Sequence, residues 1–347
     1  MHDSHLLPTQ RPLTLPELER LLAQVGSPIA TRLLSGGTFS AVQAVDLADG
    51  RTVVAKSSVP VGALPDGRTP LLTYEHDMLQ AEHDMLLRVE PLAGVPAPRV
   101  LAADLSREHI AVQAIAMDLL PGTPWDTVVS TMSPTANERA HGEVGQVLAA
   151  LKEVGASRFG YPAADFRLGG DTWPEFFTLL METVLADARE WGVDIEPDRV
   201  MAALDLGLDA LAQVTDPRLV HNDLWLGNVL LTPATGEVHG VVDFERCLFG
   251  DPIWEFVGAE SQQSHATTPA LLAGYEAGGA FLPRDASAGT ATGFTREADL
   301  RTMLYRLWSM SVQLIEIVPR GFHGDWVPGH RSKIIEVRRE IFEYLGV

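Results

Sequence analysis

Two short strings in this chain carry side chains able to move a phosphoryl group. The first, His221-Asn222-Asp223-Leu224-Trp225-Leu226-Gly227-Asn228, reads HxDxxxxN; the second is Val241-Val242-Asp243-Phe244. A carboxylate such as Asp223 can hold an attacking hydroxyl and take its proton. The amide oxygen of Asn228 and a second carboxylate, Asp243, suit a hard divalent cation that bridges nucleotide phosphates. HxDxxxxN alone arises by chance in roughly one such chain in twenty-five. An apolar run into Asp-Phe, set where the return strand of a short hairpin would carry it, removes most of that coincidence.

The elements around these strings change character along the chain. Thr14-Leu15-Pro16-Glu17 reads as a capping box opening a short helix that ends near Gly26. Alternating runs predict strands over 30–34, 39–47 and 52–56, then 99–104 and 110–119, with one long helix over 71–89 between them. Beyond Pro121-Gly122 the pattern is mainly helical, interrupted by strands at 229–231 and 238–242. The expected organisation is a β-rich lobe over 1–120 and a helical lobe over 121–347. An internal repeat, Glu75-His76-Asp77-Met78-Leu79 and Glu82-His83-Asp84-Met85-Leu86, invites a metal-dependent phosphohydrolase reading. Seven helical residues place the two histidines about 10 Å apart, too far to share one ion, so the repeat reads as an amphipathic helix.

The bulk numbers set outer bounds. With 347 residues the chain can build two cores, and no apolar run reaches membrane-spanning length. A net charge of −20 argues against nucleic acid or an anionic membrane as partner. The start lacks a basic segment followed by an apolar one, and a single cysteine, Cys247, excludes an internal disulfide framework; together these predict a cytoplasmic protein. Cys247 itself reads as a small residue in a half-buried turn.

Beyond single motifs, the chain resembles the aminoglycoside phosphotransferase family, the small-molecule branch of the protein-kinase-like fold, over about residues 28–260 and most strongly over 220–256. The resemblance implies an α+β, two-lobed protein-kinase-like fold that binds ATP or GTP with Mg2+ between the lobes. It implies Asp223 as catalytic base, Asn228 and Asp243 as metal ligands, and His221 as a structural loop residue. Val53-Val54-Ala55-Lys56 resembles the strand whose lysine contacts the phosphates, with Glu82 as its expected partner and Glu75 as the alternative. Ser35-Gly36-Gly37-Thr38 stands where the nucleotide loop belongs. Met117-Asp118-Leu119-Leu120 resembles the hinge, with the base held by backbone near Asp118 and Leu120 beside Met117. Gly250-Asp251-Pro252 matches a family string whose Asp251 is expected to brace the catalytic loop.

The resemblance implies transfer of the γ-phosphoryl group to a hydroxyl of a small molecule by a monomer or homodimer. An antibiotic of aminoglycoside or nucleoside type is the first expectation; a sugar, fructosamine or amino alcohol is the alternative. Trp225 and Glu255 are the candidate acceptor contacts. Glu255, Glu260 and Glu316 would favour a cationic acceptor if they line the pocket. An inactive binding module is disfavoured by the intact set of Lys56, Asp223, Asn228 and Asp243. Protein kinase activity is disfavoured because Glu245, not Gly, follows Asp243-Phe244.

Overall fold

The computed structural model describes residues 6–7, 9–34, 39–259 and 267–347. Helix α1 (Leu15–Leu21) opens on the expected capping box: the Glu17 carboxylate accepts from the Thr14 N–H at 2.9 Å and from its hydroxyl at 2.8 Å. Five antiparallel strands follow, β1 (Pro28–Leu33), β2 (Ala41–Leu47), β3 (Thr52–Ser57), β4 (Val100–Asp104) and β5 (Ala114–Asp118), in sheet order β1-β2-β3-β5-β4. Successive strand residues point to opposite faces. Val53, Ala55, Ala114 and Ala116 therefore cluster with Leu18, Leu21 and Leu22 of α1. Val54, Ile115 and Met117 join Met78, Leu79, Met85 and Leu86 of α2 (Met78–Val89). Lys56, two residues after Val54, shares the face turned toward α2.

The helix expected over 71–89 is broken. Thr73–Glu75 forms a 3-10 turn, and Asp77 adopts a left-handed conformation (φ 60°) before α2 begins. Left-handed backbone costs an Asp about 1 kcal/mol, and tertiary bonds made by the turn offset it. Asp187 accepts from the Thr73 N–H at 2.9 Å and hydroxyl at 2.6 Å, while Glu75 meets two arginines from the second half of the chain.

After β5 the chain builds α3 (Pro134–Leu151), α4 (Ala163–Phe166), α5 (Trp173–Glu190), α6 (Pro197–Leu211), α7 (Glu255–Ala259), α8 (Pro269–Ala277), α9 (Arg296–Glu316) and α10 (Trp326–Leu345). Between them lie seven short strands: β6 (Thr123–Pro124), β7 (Phe159–Gly160), β8 (Gly169–Gly170), β9 (Arg218–Val220), β10 (Val229–Thr232), β11 (Glu237–Val241) and β12 (Leu248–Gly250). β6 joins the β10–β11 hairpin, and β8-β7-β12-β9 form a third sheet. Strands of two or three residues carry no readable period, which is why these escape a periodicity reading. An aromatic core of Trp173, Phe177, Trp254 and Tyr305 seats α9, with the last two rings stacked at 4.5 Å. Among the described residues no helix is long and apolar enough to cross a membrane.

Candidate active site

The hairpin explains why Asn228 and Asp243 meet. Val229 pairs with Val241, and the Val242 N–H donates to the Asn228 carbonyl at 3.0 Å, so both residues leave the same open end. Asn228 donates its amide N–H to the Asp223 carbonyl at 2.7 Å, which commits the nitrogen and leaves the side-chain oxygen for a cation. Asp243 sits in left-handed conformation, φ 70°.

Beneath the loop lies α7. The Glu255 carboxylate, 1% exposed, accepts from the His221 N–H at 2.7 Å and the Asn222 N–H at 3.3 Å. A Cβ on Gly258 would come within 2.7 Å of the Asn222 carbonyl carbon and oxygen, so only glycine lets the helix approach this closely. Burial pushes the Glu255 carboxyl up to about 8, against the pull of the two N–H donors. This corrects two expectations. Glu255, expected as an acceptor contact, is buried and holds the backbone of residues 221–222. Asp251 instead accepts from Arg301 Nε at 2.7 Å and the Tyr305 hydroxyl at 2.8 Å, holding α9 against the start of α7. Glu255→Ala is expected to strand two buried N–H groups at about 1–3 kcal/mol each, lowering the melting temperature by several degrees. Thermal denaturation of that variant, read beside Glu255→Gln, checks this.

Asp223 takes its position from the same loop. Its N–H donates to His221 Nδ1 at 3.3 Å, and its carboxylate lies 3.5 Å from Arg246 Nε. The His221 ring packs 4.5 Å from Phe244, and burial drives its pKa down to about 4, so it is neutral and structural at pH 7. The Asp223 side chain is 29% exposed, yet the surrounding protein pushes its pKa up to about 8, with Arg246 opposing.

Lys56, 4% exposed, lies among three carboxylates: Glu82 at 2.7 Å, Asp243 at 2.6 Å and Glu245 at 2.8 Å. Burial works against its charge, and the carboxylates prevail. Burial pushes Glu82 up to about 7, with Lys56 opposing; Asp243, also desolvated, is held below its ordinary range by Lys56. Glu82 further accepts the Phe244 N–H at 3.3 Å. Glu75 is engaged elsewhere, by Arg246 and Arg320. Glu82→Gln is therefore expected to weaken nucleotide binding about tenfold while Glu75→Gln leaves it within about twofold, because only the first touches Lys56. Titration calorimetry with ATP separates them, and a large loss at Glu75 alone would contradict the assignment.

The remaining predicted positions are distributed as follows. Met117 is buried on β5 beside Val54 and Val100. The Asp118 N–H bonds to the Arg99 carbonyl at 3.0 Å, and the Leu120 N–H makes no backbone bond among the described residues. Trp225 is 39% exposed, and its ring folds over Gly227, where an added Cβ would lie 2.3 Å away. Glu316 is held by Arg320 at 2.8 Å. Ser35, Gly36, Gly37, Thr38 and Glu260 lie outside the described residues. Sequence reasoning missed Glu245, noted only as a departure from glycine, and Arg246, whose sole signal is adjacency to the Asp243 string. Cys247 is fully buried, and burial pushes its thiol up, so it is unreactive.

The donor set fits a hard cation. Glu82, Asp243 and Glu245 bring carboxylate oxygens within 4.8 Å of one another around the Lys56 ammonium, and the amide oxygen of Asn228 leaves the same end of the hairpin as Asp243. The site thus joins a lysine on the first sheet, a cluster of oxygen donors and a loop carboxylate.

The fold has counterparts among solved structures. The fold matches a thermostable mutant of aminoglycoside phosphotransferase APH(4)-Ia, solved with AMP-PNP and hygromycin B, at 20% identity and a TM-score of 0.61, covering 94% of this chain and 97% of that one. It matches a protein of Thermobifida fusca assigned as a fructosamine-3-kinase at 19% identity and 0.59, covering 95% and 98%. It also matches APH(2")-IIa, solved with streptomycin and ATP, at 15% identity and 0.57, covering 96% and 99%. These likenesses establish a kinase-like fold of mixed α and β structure. A family model described as the phosphotransferase enzyme family matches residues 30–289, most of the chain, and the protein belongs to that family.

Proposed function

We propose that the protein moves the γ-phosphoryl group of ATP or GTP onto a hydroxyl of a small molecule. The carrying observation is the convergence of Lys56, Asp243 and Asp223: the first two touch at 2.6 Å across 187 residues, and Asp223 lies on the loop that enters the hairpin Asp243 leaves, tied to it by the Asn228 amide. In this reading Lys56, positioned by Glu82, holds the nucleotide phosphates. Backbone near Asp118 and Leu120 receives the base beside Met117. Asn228 and Asp243 would hold Mg2+, with Glu245 beside them. The cation, when bound, neutralises charge on the phosphates. Asp223 orients the acceptor hydroxyl and takes its proton as the acceptor oxygen bonds to the γ-phosphorus and the bond to the β,γ-bridging oxygen breaks, releasing the nucleoside diphosphate.

An antibiotic of aminoglycoside type is the acceptor class we favour. The structures with hygromycin B and streptomycin support it by fold, and the exposed face of Trp225 offers a surface for a sugar ring. Magnesium-dependent ATP and GTP consumption across aminoglycosides, nucleoside antibiotics, sugars, fructosamines and amino alcohols tests the reading. Stimulation by one class identifies the acceptor. Nucleotide binding that neither requires magnesium nor responds to any acceptor would mark a binding module instead. Raised aminoglycoside tolerance in a host expressing the protein would establish a resistance role.

A further inference from the structure

A chain of alternating charges runs from the C-terminal helices to the catalytic loop. Glu316, at the end of α9, accepts from Arg320 at 2.8 Å; Arg320 in turn donates to Glu75 Oε1. The same Glu75 oxygen lies 3.3 Å from Arg246, whose Nε is 3.5 Å from Asp223. These groups come from the α9–α10 link, the turn ahead of α2 and the segment after Asp243. Arg320 is 2% exposed and Glu75 equally buried. Glu75 cannot turn away, because its other oxygen accepts the Leu72 N–H at 2.9 Å. Both guanidinium groups also flank Phe39, at 5.0 and 5.5 Å from its ring.

We propose that Arg320 is a positioning residue for phosphoryl transfer, acting on Asp223 through Glu75 and Arg246; this rests on the phosphotransferase reading above and extends it. Glu75 is one negative charge shared by two cations. With Arg320 in place, Glu75 is neutralised from the far side and Arg246 is left to hold Asp223. Without Arg320 the whole attraction of Glu75 falls on Arg246, and the already long 3.5 Å contact to Asp223 opens. The turn that carries Glu75 precedes the helix that carries Glu82, so the C-terminal link bears on the catalytic loop at the lobe junction.

The test is a double-substitution cycle on the full chain. Arg320→Gln is expected to lower kcat for magnesium-dependent ATP turnover about tenfold with KM for ATP within about twofold. Arg320→Lys, which restores the charge beside Glu75 but not the fork to Glu316, is expected to recover most of that loss. In an Arg246→Gln background, Arg320→Gln is expected to add nothing. Fully multiplying effects, or a Lys variant no better than Gln, would overturn the proposal. Hydrogen exchange supplies a readout without turnover: Arg320→Gln should quicken exchange over 221–228 in the otherwise native chain and not in the Arg246→Gln chain. An unchanged rate there overturns the proposal, whereas native protein that turns over no ATP with any acceptor defeats the phosphotransferase reading alone. Where Arg320→Gln does not fold, Arg320→Lys carries the same cycle with a smaller loss.

Discussion

Asp223→Asn is expected to lower kcat by about a thousandfold while nucleotide affinity stays within about threefold. Asn keeps the shape and one oxygen, so the loop contacts survive: those bonds are made by the Asp223 N–H to His221 and the Asp223 carbonyl to Asn228, not by the side chain. What disappears is the capacity to take a proton and the charge facing Arg246. Replacing a carboxyl whose ionisation the surroundings oppose should leave the melting temperature unchanged or higher. Steady-state kinetics with the acceptor found by the substrate panel, beside ATP calorimetry, reads both quantities. A variant keeping a tenth of native kcat would remove Asp223 from the reaction. A matching loss of ATP affinity would make it a nucleotide contact.

Residues whose placement is local were legible in the sequence. Asn228 and Asp243 flank one hairpin, and Lys56 lies on the Val54 face by strand alternation. Each needs only a period and a turn to be placed. Glu75 and Glu82 could not be separated this way, because a seven-residue spacing returns to nearly the same helical face. The break at Asp77 decides between them, and its cause is Asp187, 114 residues from the Thr73 it binds, together with Arg320, 245 from Glu75. Asp251 and Glu255 show the same limit. Both are acidic and sit at the start of one element, and which of them reaches the loop depends on where Arg301 and Tyr305 of α9 stand. Tertiary partners override local pattern wherever a buried charge has several candidate positions.

The cluster around Lys56 carries the second large expected effect. Lys56→Met keeps most of the volume and removes the cation, leaving Glu82, Asp243 and Glu245 facing one another with their oxygens within 4.8 Å. Uncompensated buried charge costs about 3–5 kcal/mol, which at this chain length is a fall of several degrees in melting temperature. The pH dependence identifies the cause. Burial holds Glu82 and Glu245 above their ordinary values even with Lys56 present, so they favour the folded state at low pH and lose that contribution as pH rises through their folded values. Asp243 does the reverse, because Lys56 depresses its value. Removing Lys56 abolishes the Asp243 contribution and raises all three carboxyl values. The gap in melting temperature between native protein and variant should therefore widen from pH 5 to pH 8 without nucleotide. Added Mg2+ should narrow it at pH 8, since an oxygen-only cluster relieved of its lysine can accept a hard cation in its place. A gap independent of pH would mean that Lys56 contributes by packing rather than by charge.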